Sequence, residues 1–100
     1  MWAQRETFHM KTIHKYPISM EGTRVQLPKD AQIVKVDMQP GVGPCFWALV
    51  DTDNPEEERA FVALGTGHAF LYGMGYMGTW QEPPFVWHLF EVTHMLYLKK

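Results

Sequence analysis

A single cysteine, Cys45, and a single serine, Ser19, stand in the 100 residues. One thiol permits no internal disulfide and no cysteine-based zinc site, which fits a cytosolic history. Cysteine nucleophiles need a neighbouring base or cation to lower the thiol pKa. Cys45 instead opens an apolar run, "CFWALV", and reads as a small buried hydrophobe. Ser19 lies in "ISMEG", without the G-x-S-x-G elbow that exposes a hydrolase nucleophile. No stretch approaches the 18 or so apolar residues that span a bilayer, and the N-terminus lacks the basic, apolar and small-residue blocks of a signal peptide. The expectation is a soluble, cytoplasmic protein with no membrane partner. Helical spacing is also scarce. The nearest case is "HLFEVTHMLYL", residues 88–98, where a short C-terminal helix competes with the strand that Val, Thr, Tyr and Phe favour.

Basic residues are missing from most of the chain. Residues 1–35 carry six, Arg5, Lys11, Lys15, Arg24, Lys29 and Lys35, against Glu6, Glu21 and Asp30, a balance of +3. Residues 36–93 carry only Arg59 against eight acids, a balance of −7. Polyanion binding depends on clustered Lys and Arg, so direct nucleic-acid binding is not expected, apart from a small basic patch on the first strands.

Apolar and aromatic residues are plentiful, at 46% and 14%, and predict a packed core. They recur in short runs divided by turn residues. "TRVQL" places Thr23, Val25 and Leu27 on one face, and "IVKVDM" places Val34, Val36 and Met38 inward, the period of a half-buried strand. "PKD" and "QPGVGP" are turns. "CFWALVD" is apolar on both faces and is expected to be covered on both sides, by a second sheet or a partner subunit. "TDNPEEE" reads as an exposed acidic loop, and with the returning strand "RAFVAL" it predicts a hairpin with a long acidic tip. "HAFLYG", "YMGTWQ" and "FVWHLFEVT" are three more strand candidates. The fold expected is all-β, about seven short, mainly antiparallel strands in a small sandwich or barrel. It forms a single domain over residues 10–98, with 1–9 as an N-terminal extension.

"LGTGHAF", residues 64–70, has neither the lysine of a phosphate-binding loop nor the third glycine of a dinucleotide fingerprint. Gly65 and Gly67 are therefore read as structural, at a bulge or a corner where the chain changes sheets, with His68 bonding to nearby backbone. Five histidines occur without an H-E-x-x-H pair. His14, His68 and His88, or the first two with Asp51, are the residues of a metal- or small-molecule-binding alternative. No metal or cofactor is expected, and no catalytic residue is assigned. The acids Asp51, Asp53, Glu56, Glu57 and Glu58, with Tyr72, Tyr76 and Trp80 from an aromatic surplus, are assigned to partner binding.

"KTIHKYPI", "LPKDAQIVKVDMQ", "CFWALVD", "RAFVALGTGH" and "FVWHLFEV" resemble a family of small uncharacterised bacteriophage and prophage proteins, with K-x-I-x-K-Y, W-A-L-V-D and G-T-G-H as its pattern. The likeness covers Met10 to about Val92. It implies an accessory protein of a phage that acts in the infected host's cytoplasm. The function expected by analogy with that lifestyle is non-enzymatic: binding and inhibiting a host protein, such as a defence nuclease complex of a CRISPR or other immune system. The alternatives are a virion structural or assembly oligomer and the metal- or small-molecule-binding barrel; among partners, a second copy in a homodimer is also allowed for.

Overall fold

The computed structural model describes residues 10–70 and 73–93. They form seven strands: β1 (Lys11–Pro17), β2 (Thr23–Pro28), β3 (Gln32–Gln39), β4 (Gly43–Asp51), β5 (Glu56–Gly65), β6 (Met74–Glu82) and β7 (Phe85–Val92). A three-stranded sheet A, ordered β1-β4-β3, faces a four-stranded sheet B, ordered β2-β5-β7-β6, and every pairing is antiparallel. The architecture is the β-sandwich, and the barrel falls away. The alternative of a C-terminal helix is replaced by β7 as far as Val92; residues 94–98, the extension 1–9 and Tyr72 lie outside the described residues.

Local chemistry fixes the turns. Val42 N–H donates to the Gln39 carbonyl across Pro40-Gly41, with Gly41 at φ +81°, which is a type II turn with its preferred residues. Ala31 N–H closes the β2–β3 turn on the Pro28 carbonyl, and Asp30 takes the left-handed position at φ +69°. The two-residue β6–β7 loop is the cis Pro83-Pro84 pair.

Between the sheets lie Leu27, Val36, Phe46, Ala48, Val50, Phe61, Trp80 and Leu89, all buried. Phe46 of sheet A meets Phe61 of sheet B at 4.8 Å between ring centroids. Burying each such large side chain contributes about 1.5–3 kcal/mol. At one end Arg59 points inward: Nε and Nη2 donate to the two carboxylate oxygens of Glu91 at 2.7 and 2.8 Å, and Nη1 donates to the Ala31 carbonyl at 2.6 Å. Glu91 holds the guanidinium charge more firmly than usual, and the three bonds tie β5, β7 and the β2–β3 link together.

Several expectations are corrected. β4 and β5 belong to different sheets, so the chain makes no hairpin there; it crosses the sandwich through a short link. That link is pinned by Lys29 N–H to the Pro55 carbonyl at 2.7 Å and by Asn54 Nδ2 to the Lys29 carbonyl at 2.9 Å. Glu56, Glu57 and Glu58 are not loop residues, because they pair with Pro28, Leu27 and Gln26 as the first turnless stretch of β5. A bulge in β3 between Ile33 and Lys35 reverses the alternation, turning Ile33 toward the core and leaving Val34 49% exposed. His68 to Phe70 are not a strand. Sheet B covers β4 on its inner side, and on the outward side Trp47 and Leu49 are half-buried. Cys45 is fully buried.

Tyr16, on the inner side of β1, stacks on Phe46 at 5.1 Å. Burial, and then the charge of Glu56, raises its phenol above the usual value. The folded state therefore holds this proton more tightly than the unfolded chain. The resulting stability is complete below about pH 10 and is lost as pH climbs through the raised folded value. Urea unfolding at about pH 9, 10 and 11 is expected to show a steeper alkaline loss in the wild type than in Tyr16→Phe. Parallel curves would refute the linkage.

Candidate functional site

The outer face of sheet B gathers residues that lie apart in the sequence. Alternation along β5 sends Glu56, Glu58, Ala60, Val62 and Leu64 to this face, and the register sets Val62 beside Phe90 of β7 and Phe90 beside Tyr76 of β6. Tyr76 meets Phe90 edge-on at 5.6 Å, and Phe70, from the β5–β6 link, does the same at 5.2 Å. Tyr76 is 58% and Phe70 61% exposed. The face thus has an aromatic centre and carries Glu56 and Glu58 at one end, Glu58 lying 3.3 Å from Arg24.

A row of hydroxyls and one imidazole orients Tyr76. Its OH lies 2.5 Å from Thr79 Oγ1, which lies 3.0 Å from His88 Nδ1; His88 Nε2 lies 3.1 Å from Thr66 Oγ1. Threonine hydroxyls both donate and accept, so either imidazole tautomer is satisfied. The row positions the phenol ring.

The assigned site residues divide. Tyr76, Glu56 and Glu58 share this face. Glu57 points to the other side, where its carboxylate accepts from Asp30 N–H at 3.5 Å. Asp51 ends β4 and Asp53 lies in the sheet-crossing link, with Asp51 Oδ1 accepting from Asp53 N–H at 3.0 Å; Lys11 and Lys29 line the same depression as Asp51. Trp80 is not on this face: at 2% exposure it belongs to the core.

In the glycine motif, Gly67 has φ +93°, and His68 N–H donates to the Gly65 carbonyl at 3.0 Å. Gly65 N–H donates in turn to His68 Nδ1 at 2.9 Å, which leaves the proton of a neutral ring on Nε2. A Cβ on Gly65 would stand 3.1 Å from both His68 Cε1 and Trp87 Cζ3, so the glycine permits close approach. The motif does not mark a change of sheet, since β5 and β6 both belong to sheet B. It borders an open cavity of about 470 Å³ with Phe85 and Trp87 on its wall. Among the described residues no three His, Cys, Asp or Glu side chains are gathered as metal ligands.

Two features escaped sequence reasoning. Phe70 and Phe90 are central to the aromatic face, and only pairing register reveals it. On sheet A, Lys15, Trp47 and Lys35 stand in one cross-strand row, with the Lys35 ammonium 5.8 Å from the Trp47 ring centre. This row places two lysines on the outer face of sheet A, with Lys35 also 3.7 Å from the Asp37 carboxylate.

No curated protein and no solved structure matches the chain. Residues 10–96 match a domain of unknown function, DUF7352, and the chain belongs to that family.

Proposed function

We propose that this DUF7352 protein is a non-catalytic binding protein that holds another protein against the outer face of sheet B. The observation that carries the reading is the exposed pair Tyr76 and Phe70 set edge-on around Phe90. Rigid aromatic side chains with a positioned hydroxyl are the groups that dominate protein interfaces, and here the hydrogen-bonded row removes much of the ordering cost. Glu56 and Glu58 at the end of the face favour a partner whose apolar patch has a basic margin. The resemblance to phage proteins directs the search to bacterial host proteins, with nucleic-acid-handling defence complexes first, because their substrate paths are basic.

The test is affinity capture from bacterial lysate on the immobilised full chain, followed by titration with the purified partner. Tyr76→Asp combined with Phe70→Asp is expected to weaken binding about 100-fold while leaving the melting temperature unchanged. Glu56→Lys with Glu58→Lys is expected to slow association and reduce its salt dependence. Undiminished binding by the aromatic variant would overturn the reading, and undiminished binding by the charge variant would remove the acidic margin from it.

A further inference from the structure

Among the described residues the two sheets leave four outer strands, and three of them are poorly suited to further pairing. β3 and β6 each carry a bulge, and they pack on one another where Val36 meets Gly78. β2 is short and holds the buried residues Thr23, Leu27 and Pro28. β1 differs from all of these. Its seven residues pair with β4 without a register shift, and six of them are exposed, so side chains on both faces are solvated.

Among the described residues its outer edge is unpaired, and the ladder shows which groups lie on it. Thr52 N–H donates to the Met10 carbonyl, and Ile18 N–H donates to the Pro44 carbonyl. In an antiparallel pair the bonded residues alternate. With this register Thr12, His14 and Tyr16 face β4, and Lys11, Ile13 and Lys15 direct their main-chain groups away from the sheet. Pro17 falls in the outward set, the one place in the strand where a missing N–H costs no ladder bond. The side chains of Lys11, Ile13 and Lys15 share the outer face, giving a charged, apolar, charged sequence beside the open main chain. Lys15 Nζ donates to the neutral amide of Gln39 at 2.6 Å, which leaves its charge uncompensated by that contact.

We propose that β1 is a strand-capture edge for an extended acidic peptide segment of a partner protein. Added beside β1, such a segment takes the open N–H and C=O groups of Lys11, Ile13 and Lys15, sets carboxylates opposite the two lysines and an apolar residue opposite Ile13. Lysines on an edge also deter pairing between identical strands. The same charges that repel a second β1 attract an acidic strand, so both consequences come from one arrangement. The surface is separate from the aromatic face of sheet B.

The probe is a fluorescein-labelled, capped peptide, Thr-Glu-Thr-Val-Thr-Glu-Thr, titrated into the full chain and followed by anisotropy and amide exchange. Saturable binding is expected, with slowed exchange at the amides of Lys11, Ile13 and Lys15 and no change at Thr12, His14 and Tyr16. Lys11→Glu with Lys15→Glu, at exposed positions that leave the melting temperature unchanged, should weaken binding about tenfold or more. N-methylation of the peptide's valine and two glutamates should abolish it. The proposal is overturned if the methylated peptide or a lysine-for-glutamate peptide binds equally well, or if no outward amide gains protection. These outcomes do not depend on Tyr76 or Phe70, so this edge and the aromatic face fail or stand separately.

Discussion

Trp80→Ala is expected to destabilise the domain by about 3–5 kcal/mol, read as the shift in free energy from urea or guanidinium unfolding. Trp80 is one of the largest fully buried side chains, and it stacks on Trp87 with 6.5 Å between ring centroids and 28° between the planes. Removing it opens a cavity in the core it shares with Leu89 and Val36, which two hydrogen-bonded sheets cannot collapse to fill. For a small domain whose whole stability is about 5–15 kcal/mol, that loss approaches unfolding. Trp80→Phe should cost much less. It keeps a ring, and it removes an indole N–H that is buried and has no partner among the described residues. Tyr76→Ala, four positions away and exposed, should stay within about 0.5 kcal/mol. A small effect of Trp80→Ala together with lost partner binding would restore Trp80 to the surface and contradict the fold described.

The second large effect is steric. Gly78 sits at the bulge of β6 directly against Val36 of β3, and a Cβ there would lie 2.6 Å from Val36 Cγ2 and 2.8 Å from Val36 Cβ. A rotamer change relieves the first contact but not the second, because Cβ is fixed to the backbone. Gly78→Ala must therefore drive β3 and β6 apart, at a cost of about 3 kcal/mol or more. The partner substitution identifies the cause. Val36→Ala leaves its Cβ in place and rescues little, whereas in a Val36→Gly background the added cost of Gly78→Ala should fall by about 1–3 kcal/mol. An additive double-mutant cycle would show that the glycine serves some purpose other than this approach.

Those two bulges also explain what the sequence conceals. Alternation is a count of two, so one extra residue exchanges the faces of everything beyond it. Tyr72, Tyr76 and Trp80 fall at even spacing and look like one face; the bulge between Tyr76 and Gly78 sends Trp80 inward. The bulge between Ile33 and Lys35 does the same to Val34 and Ile33. Strand existence was legible from Gly, Pro and Asp punctuation at "PKD", "QPGVGP" and "EPP", and from the β-formers between them. Sheet membership was not, since nothing in "TDNPEEE" distinguishes a hairpin from a crossing between sheets. The acidic half of the candidate site was visible as composition, but its division between Glu56 and Glu58 on one side and Glu57 on the other needed the strand. The centre of the face, Phe90 between Tyr76 and Phe70, depends on residues from three segments and has no local signature.

The interleaving of the two sheets bears on how the chain is made. Among the described residues β1 bonds only to β4 and β2 only to β5, so each of the first two strands waits for a segment well downstream. At a synthesis rate of about 5–20 residues per second, a nascent chain carries both for seconds before either finds its neighbour. Assembly therefore rests in large part on distant pairings of the kind that fold slowly. Over that interval the two lysines and the proline along β1 are residues of the kind that deter association with neighbouring copies.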